Sequence, residues 1–180
     1  MRIIKRILLF IVLLVVTALV AAAFISKEFQ VERSVLIEKP ADSVFAYVKY
    51  LKNQNDFSKW AQMDPSMRKE FRGTDAEPGF VSAWESDKDD VGKGEQTIKS
   101  IDAAARRIDF TIHFIKPFES NAAATMVAEP KSANSSEVRW KFQTHMAWPM
   151  NLMSLFMKGA VGNDLQTGLN NLKTRLEAQR

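Results

Sequence analysis

The chain contains no cysteine and only two histidines, His113 and His145, in 180 residues. The lack of cysteine excludes disulfides, thiolate catalysis and cysteine-ligated metal sites. It leaves the compartment open, because an exported domain of this size can fold without disulfides. No serine lies in a nucleophile-elbow sequence either, so the residue types alone yield no convergent catalytic set.

A field of one charge sign is also missing. Of the 25 basic residues, Arg2, Lys5 and Arg6 precede an apolar segment that no acidic residue precedes. The remaining 22 basic residues nearly cancel the 21 acidic ones, and no basic run is interleaved with aromatic residues. We therefore expect no nucleic-acid partner.

The apolar segment is Ile7–Ile25, nineteen residues without a charge. A helix of that length crosses about 30 Å of hydrocarbon, so residues 1–25 are predicted to be a transmembrane anchor that meets the membrane through residues 7–25. The basic residues ahead of it should stay cytoplasmic. The folded domain, residues 26–180, would then be periplasmic, on a single pass through the inner membrane of a bacterium. A cleaved signal peptide is the alternative, because Ala21–Ala23 offers small residues to a peptidase.

Beyond the anchor, hydrophobic periodicity separates strands from helices. Alternation from Phe29 to Glu38 predicts a strand, helical spacing follows from Lys39 to Asn53, and an irregular or helical segment covers Asn55 to Met63. Six more strands are predicted between turn-rich pieces: Arg68–Arg72, Phe80–Ser86, Gly94–Ile101, Arg107–Ile115, Asn121–Glu129 and Glu137–Trp148. From Pro149 onward the period is helical again, with leucines one turn apart at positions 165, 169, 172 and 176.

Side-chain alternation assigns a buried face to these strands. The apolar residues from Ile108 to Phe114 share one face, and both histidines fall on the opposite, polar face of their strands. The last helix is the element long enough to cover the apolar face, and Gly159, Gly162 and Gly168 make it thin. We therefore predict a gap with apolar walls between sheet and helix.

Six segments are similar to blocks of a known superfamily: IEKPADSVFAYV, FSKWAQMDP, GFVSAWESDKDDVGKGEQTI, FIKPFES, VRWKF and LMSLFMKGAVGNDLQTGLNNLKTRLE. In this order, from about Phe29 to Glu177, they resemble the START-like (SRPBCC) helix-grip superfamily, and its polyketide cyclase/dehydrase and lipid-transport-like branch in particular. Lys59-Trp60-Ala61 stands where relatives pair a tryptophan with a proline. The resemblance implies an α+β helix-grip fold, an antiparallel seven-stranded sheet wrapped around a long C-terminal helix, here preceded by the transmembrane helix. Such proteins bind lipids, sterols, polyketides or other apolar molecules, and a minority catalyse cyclisation or dehydration.

The expected ligand-binding residues are apolar side chains assigned to the gap: Phe80, Trp84, Phe110, Ile112, Phe114, Trp140, Phe142, Met146, Met150, Met153 and Met157. Methionine is flexible and polarisable, so a methionine wall can repack around different ligands. Ordinary core filling and contact with a membrane interface remain alternatives for the four methionines. Trp60 is expected to anchor a loop.

Charged motifs add no site. The turn from Asp87 matches a calcium loop in part, but Val91 and Ile98 occupy positions five and twelve, where oxygen ligands belong. Arg33 is the only charge on its strand face, so it is either an edge residue or a partner for a ligand carboxylate. We expect no metal, no cofactor and no catalytic residue.

These observations predict a membrane-anchored binding protein for a hydrophobic small molecule, lipid-, sterol- or polyketide-like, held between sheet and last helix. Two alternatives stay open. One is a cyclase or dehydratase, which rests on the resemblance alone. The other is a periplasmic interaction or stress-response module that binds no ligand and fills the gap with its own side chains.

Overall fold

The computed structural model describes residues 2–178. Residue 1 of the predicted anchor and residues 179–180 of the predicted domain lie outside it. The helices are α1 (Arg2–Phe24), α2 (Ala41–Val48), α3 (Gln54–Phe57), α4 (Lys59–Met63) and α5 (Ser154–Ala178), with short 3-10 helices at Leu51–Asn53 and Met150–Met153. The strands are β1 (Glu28–Ile37), β2 (Arg68–Arg72), β3 (Val81–Glu85), β4 (Lys93–Asp102), β5 (Arg107–Lys116), β6 (Ser120–Ser132) and β7 (Ser135–His145).

All seven strands form one antiparallel sheet in the order β1-β7-β6-β5-β4-β3-β2. Strands β2 to β7 lie side by side in chain order, and β1 pairs with β7 to form the other edge of the sheet. Because the central strands bury one apolar face, the sheet must be covered on that side. Helix α5 packs across β1 and β7 on that face, which confirms the predicted helix-grip architecture.

The last strand is shorter than its alternation predicts. It ends at His145 instead of Trp148, although the backbone N–H of Met146 still donates to the Lys27 carbonyl, 2.8 Å away. After that bond the chain turns away toward the end of α1, and Trp148 is 48% exposed. The predicted extension of this strand to Trp148 is therefore wrong.

One half of the space between sheet and helix is solidly packed. The four leucines at helical spacing in α5 are all buried, as predicted, together with the apolar face of α2. They meet buried side chains of the central strands, among them Ile108, Phe110 and Met126. The other half, beside the first turns of α5, is where the packing opens.

Helix α5 can lie close to the sheet because of its glycines. At Gly168, an added Cβ would lie 2.9 Å from Cζ3 of Trp140, which is tighter than carbon atoms tolerate. At Gly162, it would overlap the guanidinium of Arg33. Gly159 has open space around it. Two of the three glycines therefore admit large side chains from β7 and β1 beneath the helix.

Helix α1 stands apart from the sheet, and it is long and apolar enough to cross a membrane. Its side chains are exposed along nearly the whole length, but Ala22 is 1% exposed. A signal sequence has the same length and composition, so these two properties define a candidate span only.

Candidate ligand-binding cavity

A cavity of about 410 Å³ lies between the sheet and the first half of α5. This volume falls within the range of sites that hold small organic molecules. Its walls come from α3, α4 and the following loop, from the apolar face of β3 to β7, and from Met157, Val161 and Leu165 of α5. The space that the sequence predicts between sheet and helix is therefore present.

Small side chains on β6 help to leave the space open. Ala124 lines the cavity, and in the strand register it lies between Phe110 of β5 and Phe142 of β7. A large residue at that position would fill the interval between the two phenylalanines. Because β6 carries only the methyl group of Ala124 at that point, the cavity extends down to the strand itself.

Aromatic side chains form the wall next to α5. The Trp140 ring makes edge contacts with Phe57 and Trp60, with centroid distances of 5.8 and 6.1 Å. Trp140 is 3% exposed, and its position depends on Gly168, as described above. These edge-to-face contacts hold a rigid apolar surface toward the cavity.

A second aromatic pair stands toward the loops. Trp84 and Phe114 meet edge to face at 5.9 Å across Gly94, their shared neighbour in the strand register. A Cβ at Gly94 would lie 2.6 Å from the Trp84 ring, so glycine lets the indole lie over β4. Phe118, in the loop after β5, also lines the cavity and is 80% exposed. The mouth is therefore on this side.

Two carboxamides interrupt the apolar lining. Gln54 and Gln96 line the cavity, and neither buried side-chain nitrogen has a hydrogen-bond partner within residues 2–178. Gln54 is only 7% exposed. An unpaired buried donor costs about 1–3 kcal/mol, which an acceptor oxygen on a bound molecule would recover.

Ionisable residues of the lining are at the rim, where Lys69, Asp90 and Lys116 are exposed to solvent. The ionisable lining residues within 2–178 are thus the three at the rim, while apolar and amide groups face inward. General acid–base chemistry needs a titratable group inside the pocket, in contact with the reacting atoms. The interior of the cavity therefore offers apolar and carboxamide contacts to a bound molecule.

Hydrogen bonds to Asp64 hold the segment at the end of α4 in place, and Met63 and Met67 of this segment line the cavity. Its carboxylate accepts hydrogen bonds from the backbone N–H and hydroxyl of Ser66 and from the hydroxyl of Ser86. Bonds from Ser66, and next from Ser86, hold the pKa of Asp64 below its ordinary value. The ionised carboxylate therefore stabilises this part of the mouth.

Asp164 on α5 is in the opposite situation. Burial against the neighbouring segments raises the pKa of its carboxyl, and Lys59 opposes this only in part. Asp164 forms no part of the lining. The ionised carboxylate of Asp164 therefore destabilises the folded state at neutral pH.

The structure brings six of the eleven predicted ligand-binding residues together in the lining: Trp84, Ile112, Phe114, Trp140, Phe142 and Met157. Whether they bind a ligand remains a prediction. Five others lie outside the lining: Phe80, Phe110, Met146, Met150 and Met153.

Those five miss the cavity for two physical reasons. Phe80 and Phe110 face the correct side but belong to the fully packed core, at 1% and 0% exposure, and Met146 packs against the core edge. Met150 and Met153 are in a 3-10 helix, whose three residues per turn break the 3.6-residue phase that would have aligned them with Met157. They are 56% and 47% exposed.

Several lining residues escaped the sequence interpretation. Trp60 was expected to anchor a loop but contacts Trp140 at the cavity wall. Gln54 and Gln96 carry no pattern that separates them from surface glutamines. Ala124 had a signal, since small residues recur on the inner face of β6 in the stretch NAAATMVA.

Three polar residues are placed away from the cavity. His113 and His145 lie on the outer face, as predicted, beside Glu119 and Glu28. Arg33 lies between β1 and α5 over Gly162, and its guanidinium donates to the Glu32 carbonyl, 2.8 Å away. Arg33 lies on β1, an edge strand of the sheet, and does not line the cavity, so of the two predicted roles the structure supports the edge residue.

Fold and cavity together define a helix-grip α+β protein with an internal apolar site. The chain belongs to the family described as polyketide cyclase / dehydrase and lipid transport, whose model matches residues 28–177. No protein among the curated ones matches the chain.

Solved structures share the fold at low sequence identity. Norcoclaurine synthase from Thalictrum flavum, in complex with dopamine and hydroxybenzaldehyde, is 9% identical with a TM-score of 0.68, over 85% of this chain and 88% of that one. A solution structure from Thermobifida fusca is 22% identical with a TM-score of 0.58, over 81% and 91%. The di-domain ARO/CYC protein BexL of the BE-7585A biosynthetic pathway is 23% identical with a TM-score of 0.55, over 82% and 46%. At these identities the similarity establishes the fold.

Proposed function

We propose that the chain is a membrane-tethered binding protein for a hydrophobic small molecule. Residues 1–25 would be the anchor, residues 26–180 the binding domain, and the domain would lie on the periplasmic side of a bacterial inner membrane. The observation that carries the proposal is the apolar cavity of about 410 Å³ between the sheet and α5. The family, described as polyketide cyclase / dehydrase and lipid transport, supports a ligand of this kind.

The two unpaired carboxamides narrow the ligand class. A molecule that recovers the hydrogen bonds of Gln54 and Gln96 needs at least one oxygen acceptor, such as a carbonyl, hydroxyl or carboxylate. The remainder of the molecule must be apolar to fill the space between Trp140, Phe142 and Met157. A fatty acid, a sterol and an aromatic polyketide all satisfy both conditions.

Binding can be measured on the full chain in amphipol, with protein-free amphipol as the blank because its alkyl chains also take up apolar probes. The probes are cis-parinaric acid, a fluorescent fatty acid, and 1-aminoanthracene, an aromatic amine without oxygen. Native mass spectrometry of the freshly purified chain identifies any ligand that it carries from the membrane. We expect saturable binding of the fatty acid at a one-to-one ratio.

A matched pair of variants tests whether the cavity is the site. Ala124→Phe places a benzyl group in the cavity, whereas Ala123→Phe places the same group on the outer face of the same strand. We expect the first variant to bind cis-parinaric acid at least tenfold more weakly and the second to bind normally. Equal binding by both variants, with wild-type circular dichroism, would contradict the proposed site.

Methionine variants separate the cavity from the adjoining surface. Met157→Lys places a charge in the lining and should lower the affinity, whereas Met153→Lys alters an exposed side chain outside it. In amphipol we expect only the first change to weaken binding. If Met153→Lys weakened binding as much, the ligand would lie along the outer surface of α5 instead.

A further inference from the structure

The segment Trp148–Phe156 exposes an unusual amount of apolar surface. Five of its side chains are exposed: Trp148 by 48%, Met150 by 56%, Met153 by 47%, Leu155 by 63% and Phe156 by 80%. No charged residue occurs from Met146 to Met157. A surface of this kind on a water-soluble domain marks contact with a partner or a membrane.

This segment is joined to the end of α1 by specific hydrogen bonds. The indole N–H of Trp148 donates to the Leu19 carbonyl, 3.1 Å away. The Asn151 amide donates to the carbonyls of Ala22 and Ile25, at 2.7 and 2.9 Å. Asn151 and Ala22 are 0% and 1% exposed. The bonds to Ala22 and Ile25 attach the segment at the C-terminal end of α1 and just beyond it, so the junction is a specific contact between the two parts of the chain.

The junction sets a depth in the bilayer. Leu19 precedes the last residue of α1, Phe24, by five positions, or about 7.5 Å along a helix. Amphipathic segments that lie in the membrane surface sit about 5–10 Å into the headgroup and acyl boundary. Tryptophan is enriched at that level because its ring is apolar and its N–H is polar. Trp148 therefore lies at interfacial depth when α1 spans the membrane.

The mouth of the cavity lies at the same end of the sheet as this segment, because Ala122 near the start of β6 pairs with Thr144 near the end of β7. Met157, which lines the cavity, is the next residue after Phe156 in α5. Phe118, also in the lining, is 80% exposed on the loop after β5. A domain held with Phe156 in the bilayer surface thus directs its mouth toward lipid.

We propose that Trp148–Phe156 lies in the interfacial layer of the bilayer into which α1 inserts, and that the cavity takes up its ligand directly from that layer. This inference rests on the proposed anchor. The partner surface is the lipid bilayer itself. The continuity of the exposed segment with the end of α1 selects the bilayer over a second copy of the chain.

Site-directed spin labelling tests the proposal on the full chain, which has no native cysteine to remove. Three single variants carry a nitroxide in liposomes of phosphatidylethanolamine and phosphatidylglycerol: Phe156→Cys, Ala104→Cys and Val12→Cys. Ala104 is an exposed residue of the turn between β4 and β5, at the end of β5 remote from Phe118. Collisions with oxygen report lipid, and collisions with a water-soluble nickel chelate report water. Phe156 is 80% exposed, so its replacement leaves the core intact.

We expect the Phe156 label to favour oxygen over the nickel chelate by several-fold, and the Ala104 label to show the reverse. A water-accessible Phe156 label beside a lipid-embedded Val12 label would overturn the interfacial docking while the anchor stands. A water-accessible Val12 label would instead contradict the anchor. Dipolar broadening at Phe156, with both reagents excluded, would mean that a second copy covers the segment and would overturn the proposal as well.

Discussion

Three glycines of α5 give a stability series that reports directly on the cavity wall. Glycine inside a helix is less stable than alanine by about 1 kcal/mol. Gly159→Ala should therefore stabilise the fold by about that amount, since nothing lies within 4 Å of the new Cβ. At Gly168, the Cβ would approach Cζ3 of Trp140 to 2.9 Å, against the 3.5 to 4.0 Å of ordinary carbon contacts.

Trp140 cannot move away freely, because Phe57 and Trp60 hold its ring on two sides. Overpacking of this kind costs about 1–3 kcal/mol, which cancels or exceeds the helix-propensity gain. We expect Gly168→Ala to be less stable than Gly159→Ala by about 1–3 kcal/mol, or roughly 2–12 °C in Tm for a domain of this size. Gly162→Ala should fall between them, since it displaces only the flexible end of Arg33.

Urea and thermal unfolding of the full chain in amphipol, followed by circular dichroism, measure the series. Gly168→Ala should also weaken cis-parinaric acid binding, because Trp140 lines the cavity and its displacement changes that wall. The reasoning is refuted if Gly168→Ala raises the free energy of unfolding as much as Gly159→Ala does. In that case Trp140 would not pack beneath α5 and would not form this wall of the cavity.

Further changes test the polar groups. Asp64→Asn should lower Tm at pH 7, because hydrogen bonds from Ser66 and Ser86 hold the pKa of Asp64 low and the ionised carboxylate stabilises the folded state above the unfolded pKa of 3.8. Thermal unfolding should show this difference in Tm narrowing as the pH falls below that value. Asp164→Asn should raise Tm at pH 7, because burial raises the pKa of Asp164, and an unchanged Tm would count against that burial. The gain in Tm should vanish below pH 3.8, where the carboxyl is protonated in the unfolded state as well as in the folded state. Gln54→Leu removes an unpaired buried donor, so urea unfolding should show no loss of stability, while fluorescence titration should show weaker binding of cis-parinaric acid and unchanged binding of 1-aminoanthracene.

Local pattern was sufficient for much of the architecture. Alternation along β5 assigned the inner and outer faces correctly, including the outward position of His113. The leucine spacing located the buried stripe of α5. Both signals depend on the repeat of a single element, two residues in a strand and 3.6 in a helix, which neighbouring elements do not alter.

The ends of the elements and the contacts between them depend on residues that are distant along the chain. The segment from Met150 to Met153 became a 3-10 helix, turned its methionines outward and placed Asn151 against α1. Periodicity contained no warning of this, because the bonds that stabilise it come from residues more than a hundred positions away.

One property of the cavity is determined by the sequence, and another is determined only by the tertiary structure. That its walls are apolar was determined by the sequence, through the alternation of β5 and β7. That Ala124, Trp60, Gln54 and Gln96 face the same space was decided only in the folded chain. Burial of a face is a property of one element, whereas an unfilled volume depends on how side chains of several elements add up across it.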